Sequence, residues 1–276
     1  MRAALLQLNS SDDPAENLRI VADLVVEAKQ QGADFVLTPE VTNCVSVSRA
    51  RQNDVLNLPQ DDPTLAGLRE AAVRNAVWLL IGSLAVKTSD PDGRFANRCF
   101  FIDPSGEIRA EYDKIHMFDV DIDEKETYRE SAGYRPGHKA VTADTPFGKL
   151  GLSICYDMRF PALYQALARD GAQILTVPAA FSPVTGAAHW HSLLRARAIE
   201  TGCFVFAPAQ TGTHKSATEK TRSTYGHSLV VSPWGEIILD AGTEPGVYPF
   251  DFEPESVDYA RTRVPALKNA RKFDGP

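Results

Sequence analysis

The feature that most constrains the fold is an alternation of apolar strand patterns with helix patterns, which occurs in both halves of the chain. The first half predicts strands at residues 3–8, 35–37 and 77–81 and helices at residues 15–31 and 65–75. The second half predicts a strand that ends at Cys155, further strands at residues 174–177, 204–208 and 228–231, and helices at residues 161–169 and 187–201. Hairpin turns follow in both halves, at residues 103–106 and 232–235. Helical crossovers mixed with hairpins predict an α/β fold with mixed sheets, and a site at the C-terminal ends of the strands.

The composition excludes several classes of partner. The 276 residues, 43% of them hydrophobic, can bury a large core, and no linker divides them, so we expect one domain over residues 1–276. A net charge of −7 argues against a nucleic acid or an anionic membrane as partner. Four dispersed cysteines indicate reduced thiols rather than a disulfide framework. With neither a signal peptide nor an apolar stretch of membrane-spanning length, we expect a cytoplasmic protein.

Cys155 is the candidate nucleophile. It closes an apolar strand pattern and precedes a helix pattern, and such a junction places a side chain at a sheet edge beside the positive end of a helix. Those surroundings predict a thiolate. The alternative is that Cys155 is a small buried apolar residue.

A catalytic thiol needs a base or cation beside it, and two other strand ends offer one. Glu40 follows the strand predicted at residues 35–37, and Lys114 follows the second strand of the first hairpin. None of the six histidines lies at a predicted strand end where it would serve as the base, although a Cys-His hydrolase remains an alternative. A carboxylate, an ammonium and a thiol suffice for acyl transfer.

Several motifs together resemble the nitrilase superfamily of carbon-nitrogen hydrolases over nearly the whole chain. They lie at residues 38–40, 112–116, 129–131, 135–137, 153–161, 181–200, 225–228 and 233–235. The resemblance implies a four-layer αββα sandwich with two mixed sheets and a Glu-Lys-Cys triad of Glu40, Lys114 and Cys155, with no cofactor or metal. Glu130 matches the second glutamate of the family, which positions substrate or Lys114. The resemblance also implies a homodimer or larger homo-oligomer, with the C-terminal tail, residues 250–276, at the interface.

Four further residues are candidates for substrate binding: Tyr156, Arg159, Phe181 and Thr185. For a substrate carboxylate, Arg159 or Lys215 can supply the cation. We expect Arg159 to form an ion pair with Asp157 that holds the turn, and Asp157 is left out of the site.

Other histidines and cysteines remain outside the predicted site. His189 and His191 have no cysteine or carboxylate at ligand spacing, so we expect them to pack beside Trp190 rather than to bind a metal. Cys44 follows Glu40 closely, and whether it lines the site stays open. Cys99 and Cys203 lie in apolar strand patterns, so we expect them to be unreactive.

The resemblance favours an amidase. Tyr156 after the nucleophile disfavours nitrile hydrolysis, and the motifs are most similar to those of deaminated glutathione amidases, followed by omega-amidases. We therefore expect the terminal amide of a small carboxylate-bearing substrate to be cleaved to acid and ammonia through a cysteine thioester. The charged segment at residues 121–126 departs from those amidases. The alternatives are an N-carbamoyl amino acid hydrolase and a catalytically silent binding module with the same fold.

Overall fold

Two six-stranded sheets form the centre of the computed structural model, which describes residues 1–122, 127–217 and 221–275. The first sheet consists of β1 (Arg2–Gln7), β2 (Phe35–Leu37), β3 (Trp78–Val86), β4 (Ala96–Ile102), β5 (Ile108–Asp113) and β16 (Gly246–Asp251). Its order is β16-β1-β2-β3-β4-β5. The strands β1, β2 and β3 are parallel, and the other neighbours are antiparallel. A parallel centre with antiparallel edges makes this sheet mixed, as predicted.

The second sheet repeats this plan. It consists of β8 (Thr142–Ala143), β9 (Leu150–Leu152), β10 (Ile174–Thr176), β11 (Phe204–Ala207), β14 (Leu229–Val231) and β15 (Ile237–Asp240). Its order is β15-β14-β11-β10-β9-β8, with β9, β10 and β11 parallel. Two short antiparallel ribbons complete the strands: β6 (Asp119–Asp121) with β7 (Thr127–Arg129), and β12 (Thr211–Thr213) with β13 (Ser223–Tyr225).

The α-helices of the described chain are α1 (Pro14–Gln30), α2 (Arg49–Val55), α3 (Pro63–Asn75), α4 (Pro161–Arg169), α5 (Pro183–Thr201), α6 (Ser256–Arg263) and α7 (Ala266–Asn269). Of these, α1 and α3 pack on the first sheet, and α4 and α5 pack on the second. Alternate residues of β1 divide between two cores, because successive side chains of a strand point to opposite faces. Leu6 packs with α1 and α3, whereas Leu5 belongs to the core that also contains side chains of the second sheet, α4 and α5. The predicted four-layer αββα sandwich is confirmed.

The structure differs from the sequence prediction at two places. The strand expected to reach Cys155 ends at Leu152, and a 3-10 helix, Cys155–Arg159, begins at the cysteine. The proline- and charge-rich tail contributes β16, which pairs antiparallel with β1, and then α6. Part of the charged segment at residues 121–126 lies outside the described residues. No helix of the described chain is long and apolar enough to cross a membrane.

Candidate active site

A cavity of about 580 Å³ opens where strands of both sheets end. Glu40 follows β2, Lys114 follows β5 and Cys155 follows β9, and all three line the cavity together with Glu130. These four residues are far apart in the chain. The structure therefore brings the predicted carboxylates, ammonium and thiol into one crevice, at the sheet edge where the sequence predicts a site.

The turn that carries Glu40 is fixed by close backbone contacts. Gly82 permits the approach, because a Cβ at this position would lie 2.0 Å from the carbonyl oxygen of Thr38. The backbone amide of the next residue, Val41, donates to Ser83 Oγ at 2.7 Å. Glu40 itself accepts a 2.8 Å hydrogen bond at Oε2 from the amide of Ala180, which follows the second sheet's β10. The Glu40 carboxylate is thus held between the two sheets.

Lys114 lies between two carboxylates. Its Nζ donates to Glu40 Oε1 at 2.8 Å and to both carboxylate oxygens of Glu130 at 2.9 Å. Asn97 on β4 donates to Glu40 Oε1 at 2.8 Å, and the amide of Phe118 donates to Glu130 Oε2 at 2.6 Å. Lys114 is only 2% exposed, so the ammonium is desolvated and needs these partners. The arrangement fixes one ammonium beside one face of the cavity.

Cys155 has an unusual backbone conformation. Its φ is 49°, in the left-handed region that residues with a Cβ rarely adopt, and its amide donates to the carbonyl oxygen of Pro178 at 2.9 Å. Strained positions of this kind concentrate at functional sites. The observation favours the predicted role of Cys155 over that of a packing residue.

The expected thiolate is wrong for the free site. Burial raises the pKa of Cys155 well above its ordinary value, and the charge of Glu40 and a hydrogen bond to it raise the pKa further, against the opposing effect of Lys114. The expected thiolate rested on the helix, whereas burial and the charge of Glu40, the predicted base, both favour the protonated sulfur. Cys155 is therefore a thiol beside a base.

The pKa shifts of Glu40 and Lys114 complete this charge pattern. Burial raises the pKa of Glu40, but the charge and hydrogen bond of Lys114 outweigh it and lower the pKa overall. Burial lowers the pKa of Lys114, and the charges of Glu130 and Glu40 reverse this and raise it well above its ordinary value. Near neutral pH the site holds a carboxylate, an ammonium and a thiol.

Asp157 links the segment of Lys114 to that of Cys155. This fully buried carboxylate accepts hydrogen bonds from Tyr112 Oη at 2.7 Å, the amide of His116 at 3.0 Å and the amide of Ile154 at 2.9 Å. The ring Nδ1 of His116 also lies 2.7 Å from it. Tyr112 and His116 flank Lys114, and Ile154 precedes Cys155. Asp157 therefore holds the two segments in register.

The expected ion pair between Asp157 and Arg159 is wrong. Asp157 is occupied by the donors named above, whereas an Arg159 amino group lies 3.2 Å from His189 Nδ1. The Arg159 guanidinium lies 5.8 Å and 5.6 Å from the ring centroids of Tyr156 and Phe181. Turning away from its sequence neighbour lets the planar guanidinium pack on aromatic rings.

The other predicted binding residues divide into two groups. Tyr156, Phe181 and Thr185 line the cavity, and Cys44 does so too. Arg159 is not among the described lining residues, although it packs on two of them. Lys215 is an exposed side chain whose Nζ lies 3.8 Å from Glu16 Oε1, away from the described cavity lining.

Of the three other cysteines, Cys99 and Cys203 lie outside the described cavity lining, and Cys44 is part of it. Cys99 and Cys203 are buried, and burial raises the pKa of both thiols, as expected for unreactive residues. Burial also raises the pKa of the cavity-lining Cys44, to about 12. Cys44 is therefore a far poorer nucleophile than its position suggests.

Sequence reasoning missed several polar residues of the cavity. The missed residues include Asn97, Tyr134 and three arginines, Arg49, Arg129 and Arg222. Asn97 had a detectable signal, because a polar amide in the apolar β4 pattern needs a specific partner. Arg129 lies in the family motif at residues 129–131, but the sequence assigned it no role. Arg49 begins α2 and Arg222 lies in a loop, and nothing in their local sequence distinguishes them from surface residues. Among the described residues, the only three-residue group suited to a metal ion lies elsewhere.

Comparison with known proteins agrees with this geometry. The carbon-nitrogen hydrolase family model matches residues 2–261. A deaminated glutathione amidase of Yersinia enterocolitica is 40% identical over 97% of this chain and 92% of its own length. One from Dictyostelium discoideum is 36% identical over 98% of this chain and 94% of its own.

Solved structures give the same result. The NitFhit protein of Caenorhabditis elegans superposes with a TM-score of 0.90 at 36% identity, over 98% of this chain and 65% of that one. Nit3 of Saccharomyces cerevisiae, a member of the nitrilase superfamily, gives 0.83 at 29% identity, over 98% and 96% of the two chains. The chain therefore belongs to the carbon-nitrogen hydrolase family of the nitrilase superfamily and is a hydrolase of carbon–nitrogen bonds, other than peptide bonds, in linear amides.

Proposed function

We propose that this enzyme hydrolyses the amide of a small carboxylate-bearing substrate through a thioester on Cys155. The observation that carries the proposal is the charge pattern of the cavity. An ionised Glu40 is paired with a protonated Lys114, and both act on the Cys155 thiol. A base and a protonated nucleophile at one site are the two components that the first proton transfer needs.

Glu40 serves as the general base in both half-reactions. It takes the thiol proton as the sulfur forms a bond to the amide carbon, and it gives that proton to the nitrogen as the carbon–nitrogen bond breaks. The amine leaves, and an acyl thioester remains on Cys155. Glu40 then takes a proton from water as the water oxygen attacks the thioester. The carboxylic acid leaves, and the sulfur regains a proton.

Lys114 and the backbone amide of Tyr156 hold the oxyanion of each tetrahedral intermediate. Lys114 suits this role because Glu40 and Glu130 fix its ammonium in a desolvated position, where a positive charge acts strongly. Glu130 is a positioning residue in this scheme, since its carboxylate accepts hydrogen bonds from Lys114, Asn97 and the amide of Phe118. No cofactor or metal takes part in these steps.

The cavity also offers partners for the rest of a substrate. Arg49, Arg129 and Arg222 line it, and a guanidinium is well suited to bind a carboxylate. Two buried acceptor oxygens, Asn97 Oδ1 and Thr185 Oγ1, have no hydrogen-bond partner among the described residues, so substrate donors can satisfy them. This lining supports a polar substrate with at least one carboxylate.

The names of the relatives narrow the substrate class. Those named deaminated glutathione amidase are 36–40% identical over nearly the whole chain. We therefore place a deaminated glutathione-like amide first and an α-ketoglutaramate-like amide second. For a primary amide the leaving group is ammonia. For deaminated glutathione it is the amine of a dipeptide, so the expectation of ammonia applies only to primary amides.

A panel of substrates tests this proposal. Deaminated glutathione, α-ketoglutaramate and an N-carbamoyl amino acid are compared at equal concentration, with the released acid, amine and carbon dioxide measured separately. We expect the highest kcat/KM for one of the two keto-acid amides and no turnover by Cys155→Ala. Preference for the N-carbamoyl amino acid, with carbon dioxide as a product, would contradict the proposed substrate class.

We also propose that the enzyme assembles into a homodimer or larger oligomer through its C-terminal region. Ile199, Trp234, Tyr259 and Val264 expose about half of their surface, and an Arg263 guanidinium lies 4.8 Å from the Trp234 ring centroid, so the tail and the second hairpin form one partly apolar patch. Light scattering should give at least a dimer, and Trp234→Glu should shift it toward monomer. A wild-type monomer would overturn this proposal.

Four free cysteines suit a reducing, cytoplasmic location.

A further inference from the structure

Two histidines and a carboxylate meet at a second place, between α5 and the second sheet. His191 belongs to α5, His227 precedes β14 and Asp240 ends β15. His191 Nε2 lies 2.9 Å from Asp240 Oδ2, and His227 Nδ1 lies 2.9 Å from Asp240 Oδ1. None of the three lines the cavity described above. The expectation that His191 lacks a carboxylate partner fails because the partner is 49 residues away in the chain.

The three side chains are held in position by their surroundings. The amide of Gly242 donates to Asp240 Oδ1 at 2.9 Å, and Trp190 Nε1 donates to the carbonyl oxygen of His227 at 2.8 Å. The ring of His227 stacks on that of Tyr225 with centroids 4.5 Å apart. Such outer contacts orient the ligands of a metal site before the ion arrives.

The distances and the exposure both suit a metal ion. One ligand atom from each residue can be chosen so that all three lie within 4.8 Å of one another. Bonds of about 2.0–2.2 Å to nitrogen and oxygen, in a tetrahedron, separate ligand atoms by roughly 3.3–3.6 Å, so a set within 4.8 Å can close around an ion by a small movement of the side chains. The side chains are 31%, 25% and 33% exposed for His191, His227 and Asp240, so an ion and a water ligand can reach them.

We propose that His191, His227 and Asp240 form a binding site for Zn²⁺ or a similar first-row divalent cation. The set of two imidazoles and one carboxylate, with an open position for water, suits borderline metals better than Mg²⁺ or Ca²⁺. Each imidazole proton that now faces Asp240 moves to the other ring nitrogen, so that the lone pairs at His191 Nε2 and His227 Nδ1 face the ion. The bound ion joins α5 to the second sheet.

The effect of the ion is structural rather than chemical. The cluster does not line the cavity, and a ligand that binds only the folded state stabilises that state. We expect Zn²⁺ to raise the melting temperature, with an effect that disappears when a ligand is removed.

Titration of the full chain with Zn²⁺ tests the site, in a Cys155→Ala background so that the active-site thiol cannot compete. We expect one equivalent to bind, and His191→Ala and Asp240→Asn to weaken binding by more than about tenfold. His189→Ala is the matched control, since His189 lies on the same helix outside the cluster, and it should bind as the parent does. Co²⁺ should give a visible spectrum of nitrogen and oxygen ligands, without an intense thiolate band.

Three results would overturn the proposal. They are no saturable binding, unchanged affinity in both His191→Ala and Asp240→Asn, and a thiolate-type Co²⁺ spectrum. If a variant fails to fold, His191→Gln and the Co²⁺ spectrum of the parent still decide the question. The proposal is supported if Co²⁺ binds to the Cys155→Ala parent with the expected spectrum and this binding is lost in His191→Gln.

Discussion

Two cavities in the described part of the chain have nearly equal volumes, about 580 Å³ and 570 Å³, but very different chemistry. The first is the crevice between the sheets that holds Cys155, and the second lies beside α3, β4 and β5. In the second cavity the 3.1 Å pair of Arg98 and Glu111 is partly exposed. In the first, Lys114 is desolvated between two carboxylates. The volume of a cavity alone does not identify an active site. Desolvated charged groups beside a nucleophile do identify one.

The largest expected effect separates the two thiols of the first cavity. Cys155→Ala should lower kcat by at least about 10⁴-fold, because the bond-forming atom is lost. Cys44→Ala removes a thiol from the same cavity, one without Glu40 as its base, and should retain most of the activity. Initial rates at saturating substrate measure both. A Cys44→Ala variant as inactive as Cys155→Ala would contradict the assignment of the nucleophile.

The next test compares a lysine from each cavity. Lys114→Ala should lower kcat by roughly 100- to 1000-fold, because a lost oxyanion donor costs about 2.7–4 kcal/mol of barrier. The substitution should lower kcat strongly rather than only raise KM. Lys87 lines the second cavity, and Lys87→Ala should leave kcat unchanged. An unaltered kcat in the Lys114 variant refutes its role.

A third comparison concerns stability. Asp157→Asn should lower the free energy of unfolding by about 3–5 kcal/mol, because it replaces one of the two acceptor oxygens by an NH2 group, which cannot accept the hydrogen bonds that converge there. Glu111→Gln, in the second cavity, should cost only about 0–1 kcal/mol, as for other exposed pairs. Urea unfolding measures both. Equal, small losses would show that Asp157 does not hold the two segments together.

The smallest effect is a displacement of the pH profile. Glu40 must be ionised and its pKa is lowered from 4.5, so the acid limb of kcat/KM should lie below that value. Cys155 must keep its proton and its pKa is raised above 9.0, so the alkaline limb should lie above that value. Arg222→Gln should move the acid limb to higher pH, because the charge of Arg222 lowers the pKa of Glu40. An acid limb near the ordinary histidine value of about 6.5 would instead favour a Cys-His site.

The sequence was sufficient to predict the positions of the site residues that follow strands. The sequence predicted Glu40, Lys114 and Cys155 at one site because strands that run in the same direction end at the same edge of a sheet. The family resemblance then placed residues from the two sheets in one triad. The fold class followed from the same alternation of strands and helices. Local pattern and strand geometry decide these features, and both can be read from the chain.

The protonation state of Cys155 and the partners of Asp157 could not be predicted. The pKa of Cys155 depends on how far burial and the charge of Glu40 outweigh the charge of Lys114, and the donors to Asp157, Tyr112 and His116, come from a distant segment. The cavity arginines, such as Arg222, come from loops whose path the local sequence does not specify. Contacts between distant segments are set by tertiary packing, and the spacing of residues in the sequence does not predict them.

The most direct test of the central claim is to find the acyl group on Cys155. Enzyme mixed with the preferred keto-acid amide is quenched in acid within the first turnovers, and its intact mass and peptide map are recorded. We predict a mass increase equal to the acyl part of the substrate, on the peptide that contains Cys155, and none in Cys155→Ala. Product formation without an acyl adduct, or an adduct on Cys44, would contradict the account.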